Sequence, residues 1–240
     1  MNADAQGAVA RSSLADEAYS AIRGWILAGR IPPGERLTVR PIADELGLSP
    51  TPINVALVAL ARDGVLESRL HRGFFVPELS LNDMREIYEM REGLDSVAVR
   101  RAADAAEHGA IAAELATYCD RQHERLAAGD LAGYRNEDLA FHQAVWRLSG
   151  NERLRRAGEN LQDQMRLGNA ISSRRPGRGD QSVDEHRAVV AAIAAGDADA
   201  AERAAREHIR LTARMFAEEL EEHAEGARGR GEKRAAAAER

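Results

Sequence analysis

The sequence predicts a mainly α-helical protein in two parts: a small N-terminal unit of three helices and a β-hairpin, then a C-terminal antiparallel all-α helical bundle. Two observations carry this. Apolar residues recur at three- and four-residue spacing along almost the whole chain, and the stretch that breaks the period, residues 65–76, has β-branched and aromatic ends with a glycine between them. A third observation supports the division. The first 76 residues carry eight basic and eight acidic side chains, so the whole net charge of −6 falls on the remainder.

The N-terminal elements follow in order. Ser13 caps a helix, with Asp16 in the capping-box position. That helix runs to about Ala28 and turns Leu14, Ala18, Ile22 and Trp25 or Ile26 inward, and Gly29 closes it. "RIPPGERL" reads as a turn. Thr38 caps a short helix that ends at Gly47, with Ile42 and Leu46 on one face. "LSPTP" is a tight connection in which Thr51 is the expected N-cap and Pro52 the first helical residue, where its missing N–H costs nothing. Ile53, Leu57 and Leu60 form the inner face of this helix, which stops near Gly64. "VLESRLHRGFFV" then forms the hairpin. Helix, helix, turn, helix, hairpin over residues 13–76 is the layout of a winged helix-turn-helix. The same order also fits a small α+β module with no nucleic-acid role.

Residues 1–12 read as a flexible N-terminus and 77–81 as a linker. Helices are expected near 82–105, 110–128, 130–149, 151–171, 180–195 and 197–223, punctuated by Gly109, Gly129, Gly150 and Gly196. "RRPGRGD", 174–180, is the longest break, and the polar tail from 223 to 240 is expected to be disordered. Residues 82–222 therefore read as one helical domain.

Several function classes are disfavoured. No apolar run approaches the roughly 20 residues of a membrane span, and the first residues lack the pattern of a signal peptide. Cys119 is the only cysteine, which rules out a disulfide framework within one chain. A cytoplasmic protein is the simplest expectation. GxSxG, P-loop and GxGxxG patterns are absent, and no nucleophile and base stand together.

The informative residues are polar ones on apolar faces. Asp138 and His142 lie one turn apart with Phe141 and Val145. His186 is flanked at helical spacing by Val183, Val189, Val190 and Ile193. His208 falls with Ala201, Ala204, Leu211 and Met215. Four inward groups on three helices suit a divalent first-row metal such as Zn, Ni, Mn or Fe, and bundles hold metals in this way. The plain alternative is an ion pair at i, i+4 and hydrogen-bonded core histidines. His71, His108, His123 and His223 lie at helix ends, in the hairpin or among charges. Arg91 shares a face with Met84, Ile87, Tyr88 and Leu94. A buried guanidinium needs an anionic partner, either a ligand carboxylate or a nearby Asp or Glu. Arg135 and Arg166 are candidates of the same kind.

"GERLTVRPIADELGLSPTPINVALVALARDGVLESRLHRGFFV", 34–76, resembles the winged helix-turn-helix of the GntR family. "DLAFHQAVWRLSGNERL", "DEHRAVVAAIAAGDADAA" and "EHIRLTARM" are similar to the all-α ligand-binding FCD domain of the FadR-type subfamily. The resemblance implies a homodimeric bacterial transcription regulator, commonly a repressor, whose helical domain takes a small carboxylic or sugar acid. It implies a metal held by Asp138, His142, His186 and His208. It also implies operator contacts. Arg40, Thr51 and Arg62 would meet phosphates, and His71 and Arg72 of the wing would reach the minor groove. The family turn commonly reads Ser-Arg-Thr-Pro-x-Arg-Glu-Ala-Leu, whereas here Pro50 and Asn54 replace the two arginines. Asn54 can bond adenine N6 and N7, which predicts a different operator. A metalloenzyme with an open coordination site and a regulator that senses the metal itself remain the alternatives.

Overall fold

The computed structural model describes residues 13–168 and 177–238. The predicted flexible N-terminus and positions 174–176 of the predicted break lie outside them. The chain divides into two compact units between Glu78 and Leu79.

The first unit runs α1 (Leu14–Leu27), β1 (Arg36–Leu37), α2 (Val39–Leu46), α3 (Pro50–Arg62), β2 (Glu67–Arg69) and β3 (Gly73–Phe75). Ser13 and Asp16 form the expected capping box, each side chain taking the other residue's backbone N–H. α1 packs on α3, which buries Ala18, Ile22 and Ile26 against Ile53, Leu57 and Leu60. Burying each of these isoleucine and leucine side chains contributes about 1.5–3 kcal/mol, and this packing fixes how α3 is presented. Gly47 ends α2 in the left-handed region at φ 65°, which permits the sharp turn into α3.

Two local expectations are corrected. α3 begins one proline earlier than expected: Ser49 is the N-cap and Pro50 the first helical residue. Pro52 is still within the first turn, where backbone N–H groups have no intrahelical partner. Both prolines are therefore compatible with the helix, and Pro52 does not mark its start. The second correction concerns the hairpin. β3 pairs antiparallel with β2 through Glu67↔Phe75 and Arg69↔Gly73, and also with β1 through Arg36↔Phe75 and Leu37↔Phe74. The sheet order is β1-β3-β2. A two-residue strand is too short to show alternation, so "RIPPGERL" reads only as a turn.

The second unit contains α4 (Leu81–Asp104), α5 (His108–Ala127), α6 (Leu131–Leu148), α7 (Glu152–Gly168), α8 (Arg178–Ala194) and α9 (Ala198–Ala238). A second capping box, Ser80 with Asp83, starts α4. α4 lies along α9, α5 along both α6 and α8, and α8 along α9. One apolar cluster gathers Leu115, Phe141, Val145, Trp146 and Ile193, and another Met84, Ile87, Tyr88, Leu161, Met165 and Ile209. α9 continues to Ala238, past residue 223 where disorder is expected. Residues 223–238 hold six alanines, which favour a helix, and three glycines, which oppose it, and no proline interrupts them.

Candidate functional site

Three histidines meet inside the second unit. His142 comes from α6, His186 from α8 and His208 from α9, at 3%, 0% and 4% exposure. One nitrogen of each lies within 4.8 Å of the others. The apolar stripes of the three helices carry them there. His186 stacks on Phe141 with ring centroids 4.1 Å apart.

The Nδ1 atoms are all engaged. His186 Nδ1 lies 2.9 Å from Gln122 Oε1, His208 Nδ1 lies 2.6 Å from Glu185 Oε2, and His142 Nδ1 lies 3.2 Å from Asp95 Oδ2. Gln122 donates its amide N–H to the Glu137 carbonyl at 3.3 Å, which turns its oxygen toward His186. Three acceptors thus place three protons on Nδ1, because the partner of one ring nitrogen sets the tautomer. Each Nε2 faces inward. Those of His186 and His208 are 3.2 Å apart, and the buried Nε2 of His142 has no hydrogen-bond partner among the described residues.

Burial, then the neighbouring Arg91 charge, pushes His142 down to about 4. Burial also holds His186 well below its ordinary value, and His208, His142, Arg91 and Arg178 add to the effect in that order. Three ring nitrogens that meet in one buried place are a donor set for a divalent cation. Donors about 2 Å from a tetrahedral ion stand roughly 3.3 Å apart, so the His186–His208 spacing fits one.

The supporting residues are themselves held. Asp95 accepts from Trp146 Nε1 at 2.5 Å, and Arg91 Nε stands 3.6 Å from its other oxygen. Burial raises the Asp95 carboxyl. The His142 hydrogen bond, the nearby positive charge and the Trp146 hydrogen bond outweigh that, and its pKa ends below the usual range. Arg178 donates to both oxygens of Glu185 at 2.9 and 3.0 Å and to Thr212 at 2.8 Å. Metal-binding histidines have such partners. Asp95, Gln122 and Glu185 are missed by the sequence reading, although Asp95 and Gln122 are inward polar residues at helical spacing from Arg91 and Cys119. Glu185 gives no such signal.

The other predicted residues fall as follows. Asp138 stands at the rim, its side chain 27% exposed and its Oδ1 3.8 Å from His186 Nε2. Three of the four predicted ligands therefore converge and the fourth lies beside them. Arg91 is buried, with Nη1 3.8 Å from Met165 Sδ, and its Nε has no hydrogen-bond partner among the described residues. Arg135 and Arg166 are exposed, and the buried cluster is built without them. In the first unit, Arg40, Thr51, Asn54, Arg62, His71 and Arg72 are all exposed. Thr51, Asn54 and Arg62 lie on α3, and His71 and Arg72 lie in the β2–β3 loop.

Residues 14–76 match the family described as bacterial regulatory proteins, gntR family, and residues 86–211 match the FCD domain. The chain belongs to the GntR family. It is 32% identical to the "Probable D-xylose utilization operon transcriptional repressor" of Paenarthrobacter nicotinovorans, over 83% of this chain and 87% of that one. It is 32% identical to the "Nta operon transcriptional regulator" of Aminobacter aminovorans, over 56% of this chain and 63% of that one. Among solved structures, E. coli McbR/YncC shares the fold, with a TM-score of 0.71 and 22% identity over 87% of this chain and 99% of that one. This GntR protein is a DNA-binding transcriptional regulator and not an enzyme. No helix among the described residues is long and apolar enough to cross a membrane.

Proposed function

We propose that this GntR protein is a metabolite-responsive repressor. It binds operator DNA as a homodimer and responds to a small carboxylate or sugar acid at a divalent metal, Zn, Ni, Mn or Fe, in its FCD domain. The observation that carries this is the convergence of three histidine ring nitrogens in a buried site. His142, His186 and His208 would hold the ion, and Asp138, 3.8 Å from His186 Nε2, would be the fourth donor. The ion would supply a Lewis-acidic positive charge in the interior.

The surrounding charges favour an anionic effector. Asp95 is offset by Arg91 and Glu185 by Arg178. A divalent ion with three neutral imidazoles and one carboxylate leaves a net positive centre. The under-bonded Arg91 is a second attraction for a carboxylate or an acidic sugar. Effector binding then shifts DNA affinity only if the effector distinguishes two arrangements of the dimer. Arg40, Thr51 and Arg62 would position the protein on phosphates, Asn54 would read a base edge, and His71 and Arg72 would enter the minor groove from the wing.

The test is metal analysis of purified protein beside the His186→Ala variant, followed by a thermal-shift screen of small acids with metal-loaded and metal-stripped protein. One ion per chain is expected, lost in the variant, together with an acid whose thermal shift requires the metal and which alters operator retention. Unchanged metal content in His186→Ala would overturn the ligand assignment. Operator binding that responds to metal with no acid present would favour the metal-sensing alternative.

A further inference from the structure

Large apolar side chains exposed in the first unit are Leu14, Val55, Val58 and Leu70, and two of them sit on α3. Val55 is 53% and Val58 60% exposed. With Thr51, Asn54 and Arg62, all exposed, they form one stripe at three- and four-residue spacing. Between Thr51 and Arg62 the stripe carries no charge, whereas the family turn commonly has Arg and Glu at positions 54 and 55. Valine is a weaker helix former than most residues and gains nothing from exposure to water. Two on the outward face of one short helix therefore point to an apolar contact made on binding. In the major groove the thymine C5-methyl is the apolar group on the base edges.

We propose that Val55 and Val58 read thymine methyl groups beside an adenine held by Asn54, so that the operator half-site is A·T-rich where α3 docks. The inference rests on α3 being the helix that enters the groove. Asn54 supports it. Its Nδ2 donates to the Pro50 carbonyl at 3.0 Å, which orients the side chain. The second N–H and Oδ1 remain as the donor and acceptor that adenine N7 and N6 require. Val58 lies one turn beyond Asn54, and Val55 is next to it in sequence. Valine is stiff at χ1, so both methyl surfaces are presented with little entropy left to lose. Thr51 and Arg62 at the ends of the stripe remain for phosphates.

The test uses the full chain and a random duplex pool. Selection is expected to return adenine and thymine at the central half-site positions. Each selected thymine is then replaced by deoxyuridine, which removes the methyl and leaves every hydrogen-bonding group. Affinity should fall about fourfold per contacted methyl. Val55→Ala and Val58→Ala should lower affinity for the thymine duplex by a similar factor, abolish the thymine–uracil difference and leave the salt slope unchanged. Arg62→Ala should instead reduce that slope. Both valines are exposed, so unchanged thermal unfolding should accompany the loss. A G·C consensus at these positions, or equal affinity for thymine and uracil duplexes, would overturn the assignment. Absence of any sequence-selective binding would overturn the operator-binding reading as well.

Discussion

Nε2 of His186 lies 3.2 Å from Nε2 of His208, and the other nitrogen of each ring is held by a different acceptor, Gln122 or Glu185. The outer contacts decide what the inner pair can do. An acceptor at Nδ1 favours a proton there and leaves the inner nitrogen free to accept a hydrogen bond or to bind a cation. The same logic applies to His142 through Asp95.

Asp95 is the sharpest test of these outer contacts, because both of its oxygens face N–H groups. Trp146 donates to Oδ1, and His142 Nδ1 faces Oδ2. In Asp95→Asn one N–H group must face an amide N–H. Metal affinity should fall about 10–100-fold, and unfolding should require about 1–3 kcal/mol less. Glu185→Gln keeps an oxygen for His208 but turns an amide N–H toward Arg178, which donates to both Glu185 oxygens, so it should lose stability too. Chelator competition and urea unfolding measure the two quantities. Wild-type metal affinity in Asp95→Asn would show that His142 is oriented by other means.

Trp146 connects this network to helix packing. A Cβ on Gly158 would stand 2.5 Å from Trp146 Cδ2 and 2.6 Å from Cε3. The indole is rigid and 1% exposed, so the clash cannot be relieved by a flexible side chain. Gly158→Ala should destabilise the second unit by about 1–3 kcal/mol and displace the ring that holds Asp95. A lower unfolding temperature with weaker metal binding is expected. A drop in stability with metal affinity unchanged would separate Trp146 packing from the centre.

The α4–α9 contact supplies a pH test away from the histidines. Glu92 accepts from Arg206 at 2.6 Å and from Arg210 at 2.9 and 3.0 Å. The Arg210 hydrogen bond is the main cause of its lowered pKa; burial opposes the shift and Arg206 adds to it. A carboxyl lowered in the folded state stabilises above its unfolded value of 4.5, and that contribution is lost as pH falls through the folded value. Glu92→Gln should therefore be less stable at pH 7 by less than about 1 kcal/mol, since both arginines are partly in water. Thermal melts from pH 7 down to pH 3 should show the gap closing. A gap that persists at the lowest pH would mean that the charge is not the cause.

The centre was partly legible because burial and helical period coincide. His142, His186 and His208 each interrupt an apolar stripe, so one helical template finds all three. Asp138 shares the His142 face but ends at the rim, a difference of depth that periodicity does not encode. Asp95 was open to the same template, since it follows the inward Arg91 by one turn. Glu185 was not, because it lies one residue from His186 and reaches His208 only through the meeting of α8 and α9. Strand β1 and the start of α3 were lost for local reasons. A two-residue strand has no period, and two prolines within one helical turn leave the first residue ambiguous.

His71 closes the wing in a conformation that its side chain disfavours. It is the only non-glycine among the described residues with positive φ, at 58°, within the loop between the paired residues Arg69 and Gly73. The left-handed region costs an L-residue about 1–2 kcal/mol, although histidine enters it more often than most. Strain at an exposed loop tip with no packing role points to a binding role. His71→Gly removes the strain but gives the unfolded chain more freedom, so the net gain should stay below about 1 kcal/mol. The same variant loses the imidazole and should bind operator DNA less tightly. His71→Ala keeps the strain and loses the same group, so its stability should be near wild type and its DNA affinity reduced alike. Fluorescence-anisotropy titrations beside thermal melts give both readouts. If His71→Gly gains stability and binds DNA as tightly as the parent, His71 is a turn residue only and the wing reaches the duplex through Arg72 or not at all.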